Sequence, residues 1–428
     1  METVAIIGSG IAGLGSAWLL KDRYEVHLYE QGKDFGGHSN TIPVDEGTHR
    51  VPVDTGFIVY NEENYPNLTA LFAELEIATH PTVMSFGVTI DEGRIEYAGS
   101  NLNTLFAQRR NLARPRHWKM LGEVLRFNTT CKELLATGGF SGRTLGDLLE
   151  KEGYSRSFRD YYLLPMAAAI WSCPTRTMLE FPLESFAHFF RNHGLLDIRN
   201  RPRWRSVLGG SRNYVERIID TLGGRATCAS PVRTVLRAGN SRPELLFSDG
   251  GRRSFDRVVI ATHADQALRL LDAPTPEEAS LLGSFRYQTN RAFLHGDPRL
   301  MPRSQRVWSA WNYLAGMDAG MTDRVSVTYW MNRLQRLDTQ RDYFVSLNPL
   351  QEPDLVHAAM TYEHPVFDGG AMAAQSRLNQ IQGKRSTWFC GSYFGYGFHE
   401  DALASAVAVA SHLGVRAPWH TGRASEAA

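Results

Sequence analysis

The chain has 428 residues, 43% of them hydrophobic and 21% charged, with a formal net charge of +1. That is ample apolar material for a core and two domains, so a largely disordered chain is excluded. Near-neutral charge excludes nucleic acid as the main partner, because phosphate recognition calls for a basic domain or stripe.

From the amino end, Val4 to Ile7 reads as a buried strand, Gly8 to Gly13 as a glycine-rich turn, the stretch to Leu20 as a helix, and Glu25 to Tyr29 as a second strand. The strand follows Met1 almost at once, with no signal peptide, so the chain reads as cytoplasmic. From about Asp54 to Ser206 the texture changes to aromatic-rich helices, including Leu68 to Leu75, Trp118 to Leu135 and Phe158 to Ile170. The α/β texture returns at Gly209-Gly210, with a helix over Tyr214 to Leu222 and strands at Pro231 to Leu236 and Val258 to Ala261. Residues 275 to 384 look like the inserted texture again, and Trp388 to Gly391 begins a last strand, turn and helix over Leu403 to Leu413. The expected fold is α/β: a Rossmann-like cofactor domain from 1–55, 207–274 and 385–418, with a discontinuous substrate domain of mixed sheet and helices from 56–206 and 275–384. Residues 419–428 are expected to form a frayed tail.

No apolar run reaches the roughly 18 to 20 residues that span a bilayer. The four cysteines, Cys131, Cys173, Cys228 and Cys390, never form a C-x-x-C pair. They are poor material for zinc or a disulfide framework, so no metal is expected and the thiols read as reduced and semi-buried.

Gly8-Ser9-Gly10-Ile11-Ala12-Gly13 is a G-x-G-x-x-G between a strand and a helix, the setting in which it binds a dinucleotide. The first glycine permits the tight turn, the second lets pyrophosphate approach the backbone, and the third lets helix and strand pack closely. Glu30 closes the second strand, where a carboxylate can accept from ribose hydroxyls and repel a 2′-phosphate.

Gly36-Gly37-His38-Ser39-Asn40-Thr41 resembles the G-G-[RH]-x-x-T extension of FAD-binding amine oxidases and phytoene desaturases. Gly391 to Ala402, including Ser392, His399 and Glu400, resembles their carboxyl-terminal flavin segment, where a helix N-terminus faces the ring. Pro231-Val232 resembles their adenine-contacting segment, and Ala261-Thr262 their strand end near the nucleotide. The resemblance implies an amine oxidase-type fold, non-covalent FAD, and cofactor contacts from these positions and from Gly56 and Phe57.

The chain departs from the amine oxidases in two respects. No lysine lies between Lys151 and Lys384, so the water-bridged lysine beside flavin N5 is missing. Where amine oxidases carry Gly-Tyr, this chain has Gly397-Phe398. Cys390 lies one strand-end too early to resemble a covalent flavin link. Tyr60, Trp171 and Phe398, among many aromatic residues, point to an apolar substrate.

The strings Asp54 to Asn61, Ile170-Trp171-Ser172, Leu208 to Ser211 and Ala261 to Asp265 resemble a narrower group of FAD-binding proteins. Its members are encoded near cyclopropane fatty-acyl synthase-like methyltransferases, and some are implicated in furan fatty acid formation. That resemblance implies a lipid acyl substrate, dehydrogenated to a conjugated diene, and a methyltransferase partner. An amine or other small-molecule oxidase and an accessory flavoprotein are the alternatives. His263 and His399 are the candidate proton acceptors. The segment from Phe106 to Phe127 carries Arg109, Arg110, Arg114, Arg116 and Lys119 among Leu112, Trp118 and Leu125, which suits an anionic membrane surface.

Overall fold

The structure is a computed structural model that describes residues 1–171, 175–197, 202–237, 242–316 and 326–421. Ser172, Cys173 and the tail from 422 lie outside the described residues.

A five-stranded parallel sheet, ordered Ala226–Thr227, Glu25–Tyr29, Thr3–Ile7, Arg257–Ile260 and Thr387–Phe389, forms the cofactor half. Its strands come from three separate stretches of chain. Successive side chains of a strand point to opposite faces, so an unbroken apolar run can feed two cores at once. Ala5 and Ile7 pack in one core, Val4 and Ile6 in the other, and Val258 to Ala261 divides in the same way.

The helix Ile11–Leu20 is buried at every residue because the carboxyl-terminal helix His399–His412 lies across it. Gly15 sits at their contact, where a Cβ would come within 2.5 Å of the Leu403 Cδ1 atom. The carboxyl-terminal helix begins at His399, four residues before the expected Leu403.

The second half contains a seven-stranded sheet, ordered Val356–Val366, Arg286–His295, Phe344–Leu347, Ser326–Trp330, Trp311–Ala315, Phe86–Ile90 and Ile95–Ala98. All its pairings are antiparallel except Trp311–Ala315 with Phe86–Ile90. Helices over Pro115–Thr137 and Leu183–Asn192, and the helical run 156–171, pack beside it around Phe127, Phe158, Phe186 and Phe190.

Two expectations are corrected. The tail expected from residue 419 is not frayed at its start, since Trp419 stacks on Trp18 with ring centres 6.0 Å apart and donates to the Asn67 side-chain oxygen. Cys131 and Cys390 are fully rather than partly buried, and burial pushes both thiols up to about 12. No helix among the described residues is long and apolar enough to cross a membrane.

Candidate active site

At the carboxyl ends of the parallel strands, each glycine of the first turn has a distinct steric task. Gly8 has φ +99°, and a Cβ there would lie 2.7 Å from the Ala261 carbonyl oxygen. At Gly13 a Cβ would lie 1.9 Å from the Gly8 carbonyl oxygen, whereas at Gly10 it would meet nothing within 4 Å. The chain is therefore crowded behind the turn and open in front of it. No side chain caps the helix at Gly10, so its first N–H groups are available to an anion. The Glu30 carboxylate accepts from Ser9 N, Ser9 Oγ and Gly32 N at 2.7 to 2.9 Å. Two carboxylate oxygens offer about four lone-pair sites, which leaves capacity for ribose hydroxyls.

Gly37 brings the second glycine pair against the first: a Cβ there would approach the Gly10 Cα to 3.2 Å. Gly56 packs directly on the His38 carbonyl, and Phe57 N donates to that oxygen at 2.7 Å. Phe57 stacks on His399 at 3.9 Å. His399 Nε2 lies 3.0 Å from Ser39 Oγ and 3.2 Å from Tyr214 Oη, while Ser39 and Tyr214 also bond each other. Burial holds His399 down to about 3, so it is a neutral brace among two hydroxyls and a ring.

In the first turn of the helix His399–His412, Asp401 accepts from Tyr396 N and Phe398 N, both at 2.9 Å, and burial raises its carboxyl to about 6. Asp54 is a second buried acid, also raised to about 6 by burial. It accepts from Thr41, Ser211 and Gln335 and so joins three distant chain segments.

These elements surround one cavity of about 1150 Å³, above the 300 to 1,000 Å³ range usual for a single ligand site. Part of its wall is Gly8, Gly10, Ile11, Ala12, Glu30, Gly37, His38, Gly56, Phe57, Val232, Ala261, Gly391, Ser392 and His399. Another part is Tyr97, Met166, Ile170, Trp171, Phe189 and Phe398. Phe189 joins Trp171 and Phe398, with ring centres at 4.5 and 5.0 Å. His263 also lines the cavity, parallel to Tyr287 at 4.4 Å and with Nδ1 3.4 Å from Glu363. Burial lowers its proton affinity, while Asp265 and Glu363 oppose that shift.

Several sequence-predicted residues stand off this wall. Gly13, Gly36 and Ser39 shape the turns from behind. Tyr60 packs in the core against Tyr65 and Phe72, 3% exposed, because its strand pairs inward with Trp204–Val207. Glu400 accepts from Asn67 N, Asn67 Nδ2 and Leu68 N at 2.7 to 3.0 Å, so its carboxylate caps the helix Pro66–Glu74 instead of facing a cofactor. Sequence reasoning missed Tyr362 and His364, whose strand reaches the site only through sheet pairing, and Asn290, buried behind His364 on the neighbouring strand.

The open face of Gly10, the uncapped helix start and the buried, unpartnered Nε2 of His38 fit a dinucleotide phosphate. Gly8, Gly10, Gly37 and His38 would hold that phosphate, and Glu30 would accept from the ribose hydroxyls. Cys390 is engaged with Ser16 in the core and is no covalent anchor. Fold and site together define a dinucleotide-binding flavoprotein. Residues 11–330 match the family model of the flavin containing amine oxidoreductases. The chain belongs to this family, is an FAD-dependent oxidoreductase, and has the amine oxidase fold.

Similar solved structures include a putrescine oxidase mutant with redesigned cofactor binding, 16% identical with TM-score 0.69 over 96% of this chain and 98% of that one. A fatty acid isomerase from P. acnes that produces CLA is 14% identical, with TM-score 0.67 over 97% and 99% of the chains. Cyclohexylamine oxidase from Brevibacterium oxydans is 15% identical, with TM-score 0.68 over 96% and 99%. No curated protein matches the chain in sequence.

Proposed function

We propose that this enzyme dehydrogenates a methylated, unsaturated fatty acyl chain, carried in a phospholipid, to a conjugated diene. The observation that carries the reading is the apolar wall of Tyr97, Met166, Ile170, Trp171, Phe189 and Phe398. Among the described residues no lysine lines the cavity, and neither of its carboxylates belongs to the apolar wall: Glu30 braces the glycine turn and Glu363 stands beside His263. A buried ammonium would need a charged or hydrogen-bonded partner, which this wall lacks, whereas an alkyl chain needs only apolar area and shape.

Bound FAD supplies a hydride acceptor at N5. The protein's share is to hold the chain in place and exclude water, so that an allylic carbon stays oriented for reaction. His263 takes the proton that leaves: it is neutral in its buried setting, faces the cavity, and has Glu363 beside it to stabilise the imidazolium.

Delivery from a membrane is part of the same proposal. Leu102, Leu112, Trp118 and Leu125 are each more than half exposed. Trp118 Nε1 donates to the Leu112 carbonyl at 2.9 Å, which binds the patch together amid Arg109, Arg110, Arg114, Arg116 and Lys119. Gly99 and Ser100, three and two residues before Leu102, line the cavity. A basic, aromatic surface that follows cavity-lining residues along the chain suits an anionic bilayer.

Anaerobic bleaching of the flavin tests the reading. A methylated, unsaturated phospholipid is expected to bleach it and polyamines are not. Bleaching by polyamines alone would establish an amine oxidase, and bleaching by neither would point to an accessory flavoprotein that serves a fatty-acyl methyltransferase.

A further inference from the structure

His364 stands on the strand Val356–Val366 and lines the cavity. Its Nδ1 lies 2.9 Å from Asn290 Nδ2 on the neighbouring strand. An amide nitrogen only donates, so Nδ1 must accept, provided the amide is oriented that way round. Two further bonds fix its orientation. Asn290 Nδ2 also donates to the Gln288 carbonyl at 3.1 Å, and Asn290 Oδ1 accepts from Asn348 Nδ2 at 2.7 Å. Asn348 is itself oriented by Arg291 N, which donates to its Oδ1 at 2.9 Å. The chain of bonds begins at a backbone N–H, whose direction is not open to choice.

With a lone pair on Nδ1, a neutral imidazole carries its proton on Nε2. Burial, with His263 nearby, holds His364 down to about 4, so the neutral form prevails at ordinary pH. Nε2 lies across the ring from Asn290 and has no protein acceptor among the described residues.

We infer that His364 is a positioning residue, locked as an Nε2–H donor and presented to a carbonyl oxygen of whatever the cavity holds. A histidine free to choose its tautomer could serve as base or donor, but the Asn348–Asn290 relay removes the first option. Proton transfer and hydrogen-bond donation therefore fall to different histidines, His263 and His364. Two carbonyl sources are available, the flavin ring and the acyl ester.

Nitrogen-15 NMR of histidine-labelled protein tests the lock, with His364→Gln identifying the signal. The expected wild-type pattern at pH 7 is a protonated Nε2 and an unprotonated Nδ1. Asn290→Asp, which replaces the donor by an acceptor, is expected to reverse it. A wild-type His364 protonated at Nδ1 would overturn the inference, whether or not the Asp variant folds.

Binding identifies the acceptor. His364→Leu should weaken its ligand about tenfold, as expected for one lost hydrogen bond, and His364→Gln, which keeps an N–H, should restore most of that. A raised Kd for FAD assigns the flavin carbonyl. An unchanged FAD Kd with weaker binding of detergent-dispersed dioleoyl phosphatidylcholine assigns the ester. No change in either overturns the role. Only the ester measurement rests on the acyl-chain reading, so the tautomer and FAD results stand or fall apart from it.

Discussion

Gly10 and Gly13 belong to one turn, yet the structure separates what they do. Alanine at Gly13 places a methyl 1.9 Å from the Gly8 carbonyl oxygen and 3.0 Å from its carbon, both of them backbone. No flexible side chain can yield, so Gly13→Ala should cost about 3 kcal/mol, the upper end of ordinary overpacking. At roughly 2 °C per kcal/mol for a larger domain, the flavin-free protein should melt about 6 °C lower. Gly10 has φ −64° and ψ 176°, which alanine adopts freely, and nothing lies within 4 Å of its Cβ site. Gly10→Ala should therefore leave the flavin-free protein within about 1 kcal/mol of the parent. Its methyl would stand where pyrophosphate meets the backbone. Loss of one charge-assisted hydrogen bond, about 1.5 to 3 kcal/mol, corresponds to roughly 10- to 100-fold weaker FAD binding. The assay pairs calorimetry of the flavin-free variants with a flavin fluorescence titration. If Gly10→Ala bound FAD normally, or melted as early as Gly13→Ala, the division of labour would be refuted.

Further consequences can be checked separately. Glu400→Ala removes the cap of the helix Pro66–Glu74 and should cost about 1 to 2 kcal/mol in urea unfolding. FAD affinity should stay within about twofold, and a large loss would restore Glu400 to the cofactor site. His193, His295 and His364 are held at about 4 by burial, His399 at about 3, and His38 well below its ordinary value. The folded state binds fewer protons than the unfolded chain below about pH 6.5, so stability is full above that pH and falls as pH drops toward 4. Asp54 and Asp401, raised to about 6, pull the other way below pH 6, but five histidines outweigh two carboxylates. A urea midpoint that stayed flat from pH 7 to 4.5 would contradict this. Charge reversal at Arg109, Arg110, Arg114 and Arg116 should abolish co-sedimentation with anionic liposomes, and unchanged binding would sink the membrane surface.

The cofactor class is legible in the residue order alone. A strand, a glycine turn, a helix and an acid within about thirty residues are tied by contacts that span only a few positions, so spacing reports the geometry. Gly8 needs positive φ and Gly13 has no room for a Cβ, and both facts follow from a local turn. The second glycine pair was equally legible, since it returns to the same turn.

Long-range packing, by contrast, settles what each polar side chain does. Glu400 follows the cavity-lining Gly397 to His399 directly in sequence, yet its carboxylate turns to Asn67, 333 residues away. His399 is spent on Ser39 and Tyr214, which lie 360 and 185 residues distant. His364 owes its tautomer to Asn290 across a strand pairing, 74 residues removed. Tyr60 looked like a substrate contact until strand pairing turned it into the core. A side chain's chemistry is written in its type, but its direction is set by the elements packed against it, and periodicity along the chain carries no record of that.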